Sequence, residues 1–93
     1  MLIALDYDGT YTKDPALWAA FIELAHDHGH EIIGVTMRAM KEAESMASAY
    51  QDGVDSLIFT NRMAKKDCVE RSGLVVDVWI DDTPEWLFKD ARA

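Results

Sequence analysis

Asp6-Tyr7-Asp8-Gly9-Thr10 places two carboxylates one residue apart, directly after the apolar run Leu2-Ile3-Ala4-Leu5. Like charges that close repel each other, and the natural remedy is a divalent cation held by oxygen ligands. Three further sets of reactive side chains follow: the hydroxyl of Thr36, the adjacent lysines Lys65 and Lys66, and a second acidic pair, Asp81-Asp82. Four carboxylates around one point, with no His or Cys beside them, favour Mg²⁺ over Zn²⁺. Mg²⁺ beside a carboxylate nucleophile, with a lysine and a hydroxyl to hold substrate oxygens, is equipment for phosphoryl transfer. That transition state needs mainly charge neutralisation and in-line positioning. Asp6 is then placed to attack phosphorus and form an aspartyl-phosphate. Asp8 is placed to protonate the leaving oxygen and later deprotonate the attacking water. Gly9 removes a side chain at the crowded point and lets the chain turn sharply.

These groups meet only if the fold brings them together. Residues 2–5 read as a buried strand, and Asp14-Pro15 supplies an N-cap and first-turn proline for a helix to about His28. Leu17, Trp18, Phe21, Ile22, Leu24 and Ala25 recur along it at helical spacing, and Gly29 is its C-terminal cap. Residues 32–35 form a second strand ending at Thr36. Met40, Ala43, Met46, Ala47 and Tyr50 mark one face of a second helix, and residues 56–59 form a third strand. A short helix is expected from Ala64 to about Ser72, a fourth strand over 75–80, and a last helix opened by Thr83-Pro84-Glu85 and carrying Trp86, Leu87 and Phe88. The pattern βαβαβαβα predicts an α/β, three-layer Rossmann-like fold: a four-stranded parallel sheet with helices on both faces. Every strand then ends on one edge, where open α/β sheets bind ligands. Lys65 shares a helix face with Cys68 and Val69, whereas Lys66 points with Val69 and Glu70, so Lys65 is expected to lean over that edge.

In the order and placement of these residues the chain resembles the haloacid dehalogenase-like (HAD) superfamily of phosphohydrolases. The first motif of that family, Asp-x-Asp-x-Thr after strand one, is matched by residues 6–10. Its Thr or Ser after strand two is matched by Thr36, its lysine opening a later helix by Lys65, and its acidic pair by Asp81-Asp82. The resemblance implies that Asp6 is nucleophile and metal ligand, and that Asp8 is acid/base with its main-chain carbonyl on Mg²⁺. It further implies that Thr36 and Lys65 hold phosphoryl oxygens, and that Asp81 and Asp82 complete the metal site directly or through water. One departure matters: only residues 9–14 separate Asp8 from the first helix and only 60–63 follow strand three, so no cap domain fits at either place. Capless relatives act on macromolecules that shield the site, or gain closure from a neighbouring subunit.

Ninety-three residues with 49% hydrophobic and 28% charged content predict one globular domain over 1–93. No apolar run reaches the ~20 residues of a membrane span, and the single cysteine, Cys68, excludes an internal disulfide; both lead to an expectation of a cytoplasmic protein without membrane partners. A net charge of −8 disfavours non-specific nucleic-acid binding. Arg38, Lys41, Arg62, Lys65 and Lys66 nonetheless gather where a local anionic group would sit, so the expected partner is a phosphorylated substrate, either macromolecular or enclosed by a second subunit. The histidines of His26-Asp27-His28-Gly29-His30 lie near a helix C-terminus, which favours them without any metal. Two other readings compete with an enzyme. A signalling receiver uses Asp, Thr and Lys on a similar sheet, but its acidic pair follows strand one and its phosphorylated Asp strand three, the wrong order here. A phosphate- and Mg²⁺-binding module without turnover is the other.

Overall fold

The computed structural model, which describes residues 1–91, is an α/β domain built on a four-stranded all-parallel sheet in the order β3-β2-β1-β4. β1 is Leu2–Leu5, β2 Glu31–Thr36, β3 Ser56–Phe59 and β4 Val78–Ile80. The helices between them are α1 (Pro15–Asp27), α2 (Ser48–Gly53) and α3 (Lys65–Arg71). Side chains alternate across a pleated strand, and this divides the core in two. Ile3 and Leu5 of β1 cluster with Ile22 and Ala25 of α1 and Tyr50 of α2 on one face. Ala4 clusters with Ile33, Val35 and Val69 of α3 on the other. Helices therefore cover both faces, and the chain steps from β1 to β2 to β3 before returning to the far side of β1 as β4. That reversal creates a topological switch point between β1 and β4, with all four carboxyl ends on one edge.

Local chemistry fixes the elements. Asp14 Oδ1 accepts the Leu17 N–H at 3.1 Å and Pro15 fills the first turn of α1, the arrangement the sequence predicts. At the amino edge, an aspartate just before each of the two edge strands reaches sideways. Asp55 Oδ2 accepts the Ile32 N–H at 2.7 Å and Asp77 Oδ2 accepts the Leu2 N–H at 2.8 Å, joining β3 to β2 and β4 to β1 before the ladders begin. Gly34 in the middle of β2 makes room for Tyr50: a Cβ there would lie 2.6 Å from the Tyr50 hydroxyl, which donates to the Leu5 carbonyl at 2.6 Å.

Three elements differ from the sequence expectation. The helix predicted through residues 40–50 is broken into a 3-10 segment, Met40–Ser45, and the short α2, with Met46 and Ala47 extended between them. Side chains there supply what a continuous helix would have satisfied. Tyr7 Oη accepts the Ala47 N–H, and Gln51 Nε2 donates to the carbonyls of Ala43 and Met46. Met40 and Ala47 accordingly lie exposed. The fourth strand begins at Val78 and not at Val75, because its partner β1 begins at Leu2, and Asp77 bonds both the N–H and the carbonyl of that residue. The last helix is a 3-10 turn, Pro84–Leu87, and the Thr83 side chain does not cap it; the Thr83 N–H instead donates to Asp81 Oδ1 at 2.9 Å. Among the described residues no helix is long and apolar enough to cross a membrane.

Candidate functional site

Asp6 is the first residue beyond β1, and its N–H donates to the Ile80 carbonyl at 3.0 Å, tying the end of β1 to the end of β4. Asp81 and Asp82 follow β4 directly. Each of the three carboxylates offers an oxygen within 4.8 Å of the others. Asp6 is buried, the Asp81 carboxylate is 3% exposed, and Asp82 opens to solvent, so the cluster is a pit with one wet wall. Lys65 opens α3 and its side chain is 2% exposed; Nζ donates to Asp6 Oδ1 at 2.7 Å and to Asp81 Oδ2 at 2.5 Å. Lys66 faces solvent and pairs with Glu70 one turn on. Thr10 completes the group: its hydroxyl donates to Asp6 Oδ2 at 3.1 Å and accepts the Asp82 N–H at 3.2 Å. Gly9 holds φ at +83°, and a Cβ there would fall 2.3 Å from Asp82 Oδ2, so the turn and the acidic pair pack only because that side chain is missing.

The electrostatics follow from burial. Desolvation pushes the Asp6 carboxyl up to about 7, against the opposing pull of the Lys65 ammonium. The hydrogen bond with Asp6 holds Asp82 below the usual carboxylate range. Three carboxylates beside one lysine, when ionised, leave an excess of negative charge that a divalent cation would relieve. The donors are all hard oxygens, with no nitrogen or sulfur in the group, and they fit Mg²⁺ or Ca²⁺ rather than Zn²⁺.

Two predicted residues make their hydrogen bonds outside this cluster. The Asp8 side chain, expected as a fourth carboxylate, is exposed and turned toward Arg38, which grips it with Nε at 2.9 Å and Nη2 at 2.8 Å. Arg38 also lies over the Tyr7 ring, 5.4 Å from its centroid, and donates from Nη1 to Ser45 Oγ at 2.6 Å. Thr36 is buried at the end of β2, and its hydroxyl accepts the Arg38 N–H at 3.2 Å. It therefore shapes the loop that delivers Arg38.

Sequence reasoning passed over two hydroxyls. Thr10 entered only as a letter of a motif, yet it bridges Asp6 and Asp82. Thr60 Oγ1 is buried without a hydrogen-bond partner among the described residues, at the end of β3, where the Thr60 N–H donates to the Thr36 carbonyl. The available signal was positional: Thr60 follows β3 as Asp6 follows β1 and Asp81 follows β4. Two of the three histidines, in contrast, have structural partners. His26 Nε2 lies 2.8 Å from Asp55 Oδ2 and His30 Nδ1 lies 2.7 Å from the terminal amine.

Two clefts flank the acidic pit. One of about 400 Å³ lies on the Asp82 side and includes Thr10, Lys13, Leu17 and Trp18 in its wall. The other, of about 230 Å³, lies on the Asp8 side and is lined by Asp8, Met37, Arg38, Arg62, Trp86 and Ala91. Comparison of the chain with known protein families, with curated proteins and with solved structures gives no match.

Proposed function

We propose that this chain is a Mg²⁺-dependent phosphomonoester hydrolase of the HAD-like type, without a cap domain and acting through an aspartyl-phosphate. The observation that carries the reading is the buried Lys65 ammonium bridging Asp6 and Asp81, with Asp82 beside them, at the sheet's switch point. A lysine within hydrogen-bond reach of a buried carboxylate supports this reading, since phosphoryl transfer needs a nucleophile beside a group that offsets the phosphoryl charge. Asp6, Asp81 and Asp82 would hold Mg²⁺, whose charge would offset phosphoryl oxygens and keep these carboxylates ionised. An Asp6 oxygen forms the bond to phosphorus as the ester bond breaks, and Asp8 gives its proton to the departing oxygen. Water then attacks phosphorus and passes a proton to Asp8. The acyl-phosphate bond breaks, phosphate leaves and Asp6 is restored. Lys65 and Thr10 orient the Asp6 carboxylate throughout.

The grip of Arg38 on Asp8 favours a second reading, because a carboxylate held in a bidentate ion pair must first be released before it can carry a proton. In that reading the chain binds phosphate and Mg²⁺ without turnover. One panel separates the two: a nucleotide, a phosphorylated oligonucleotide, a phosphopeptide and a sugar phosphate, each assayed for phosphate release with Mg²⁺ and with chelator. Release that needs Mg²⁺ and is lost in Asp6→Asn supports the hydrolase. No release from any member leaves only the binding module.

A further inference from the structure

The cleft beside Asp8 combines aromatic, apolar and cationic walls. Trp86 contributes an aromatic surface, 38% exposed although it follows the site by only four residues. Met37 supplies a further apolar wall, and the guanidinium groups of Arg38 and Arg62 stand at the rim. Neither guanidinium is loose. Arg38 is fixed by Asp8 and Ser45, and Arg62 donates from Nη1 to the Met37 carbonyl and to Glu42 Oε1, both at 3.0 Å. Backbone bonds hold the same wall, since the Arg62 N–H donates to the Met37 carbonyl at 2.8 Å and the Ala91 N–H to the Arg62 carbonyl at 2.8 Å. Arg62 adopts φ of +68° immediately after Asn61 at +53°, a costly backbone for two non-glycine residues that the surrounding bonds maintain. The Arg62 wall is thus held before anything enters, and a preformed wall loses less on binding, while the Arg38–Asp8 pair opens when Asp8 serves the departing oxygen.

We infer that this cleft is the subsite for the leaving group and that it takes the nucleoside part of a nucleoside phosphomonoester. The inference rests on the phosphohydrolase reading in one respect: Asp8, the group that serves the departing oxygen, lines the cleft, so the remainder of the substrate lies there while its phosphate faces Asp6 and Lys65. At about 230 Å³ the cleft falls below the ~300–1,000 Å³ of pockets for drug-sized ligands and accepts little more than one ring system. Aromatic side chains and guanidinium groups are the surfaces on which unstacked bases are held, and Trp86, Arg38 and Arg62 bring both kinds to this one cleft. A bare sugar would leave Trp86 uncovered. The shared chemistry is a base carried one sugar away from a terminal phosphate, available as a free nucleotide or as the phosphorylated end of a strand.

The test is calorimetric binding to the Asp6→Asn protein in Mg²⁺, which removes turnover from the measurement. The ligands are adenosine 5′-monophosphate, a 5′-phosphorylated oligonucleotide, ribose 5-phosphate and a phosphotyrosine peptide. The nucleotide or the oligonucleotide end should bind about five- to hundredfold tighter than ribose 5-phosphate, the range that stacking on one aromatic ring supports. That preference should collapse in an added Trp86→Ala change and survive in part with Trp86→Phe, thermal melts confirming that both variants fold. Ribose 5-phosphate bound as tightly as the nucleotide, a phosphotyrosine peptide bound as tightly as either, or a preference untouched by Trp86→Ala would each overturn the inference. A nucleotide preference in binding together with a wild-type protein that releases no phosphate would sink the hydrolase reading alone. Equal turnover of nucleotide and ribose 5-phosphate would sink the subsite alone.

Discussion

Asp6 is the residue on which the chemistry and the stability of this domain meet. On the proposed hydrolase mechanism its replacement by Asn keeps the volume and removes both the nucleophile and a metal charge, so Asp6→Asn should abolish phosphate release while circular dichroism shows the fold intact. The same carboxyl sets a pH dependence in metal-free protein. Its folded value is raised to about 7 from an ordinary 3.8, so between those values the native state binds more protons than the unfolded chain. Its contribution is fully present below about pH 4 and is lost as pH rises through about 7, with a slope of at most ~1.4 kcal/mol per pH unit. Urea titrations in chelator at pH 5 and pH 8 should give the lower stability at pH 8, and Asp6→Asn should remove most of that difference. A wild-type midpoint that rises from pH 5 to pH 8 would contradict the burial of a protonated Asp6. Lys65 and Lys66 give a third comparison: Lys65→Ala strips the one ammonium from the pit and should cut turnover far more than Lys66→Ala, whose partner is a solvent-facing Glu70. Equal losses would place the substrate elsewhere. That Lys65 and not Lys66 turns inward was legible in the sequence, because helical spacing groups Lys65 with Cys68 and Val69 and Lys66 with Glu70. The orientation of Asp8 was not, since nothing local to residues 6–10 announces that Arg38, thirty residues on, would take its carboxylate.

At the scale of elements, the sequence was most informative where one neighbour decides the outcome and least where a remote group intervenes. Asp14-Pro15 and the strand over 56–59 were read correctly from adjacent residues, whereas the break at Met46-Ala47 depends on Tyr7 and Gln51, and the late start of β4 depends on where β1 begins. The apolar stripe of α1 shows the same limit. Trp18, Phe21, Ile22 and Ala25 turn inward while Leu17 and Leu24 stay 55% and 57% exposed, because four short strands offer a narrower surface than the stripe. Two positions test the packing argument. Gly34→Ala drives a methyl into the Tyr50 hydroxyl and Leu57, an overpacking that should cost about 1–3 kcal/mol in urea unfolding. Its effect should shrink when Tyr50 is also changed to Phe, because the atom nearest the new methyl is then gone. Additive losses in the double variant would mean that β2 shifts as a unit and that Tyr50 does not set the fit.

For the whole molecule, the governing fact is that an acidic chain of net charge −8 gathers three of its carboxylates at the switch point of its own sheet. Folding brings Asp6, Asp81 and Asp82 together from opposite ends of the sequence, and among the described residues the cation that meets them is Lys65, on Asp6 and Asp81. A ligand that binds the folded state and not the unfolded chain raises stability by mass action, and on the proposed reading that ligand is a hard divalent cation. Added Mg²⁺ should therefore raise the melting temperature above that in KCl of equal ionic strength, which separates site binding from general screening of the negative surface. The gain should be largest above pH 7, where the ion no longer competes with the Asp6 proton, and should fall sharply in Asp82→Asn. That residue is the wet wall of the pit and the least costly of the three to change, since its side chain is already exposed. Scanning calorimetry of wild type and Asp82→Asn, each in Mg²⁺ and in matched KCl, reads the difference directly. If both proteins gain equally, Mg²⁺ is acting on the surface charge as a whole, and the pit is an electrostatic by-product of the switch point with no metal to hold.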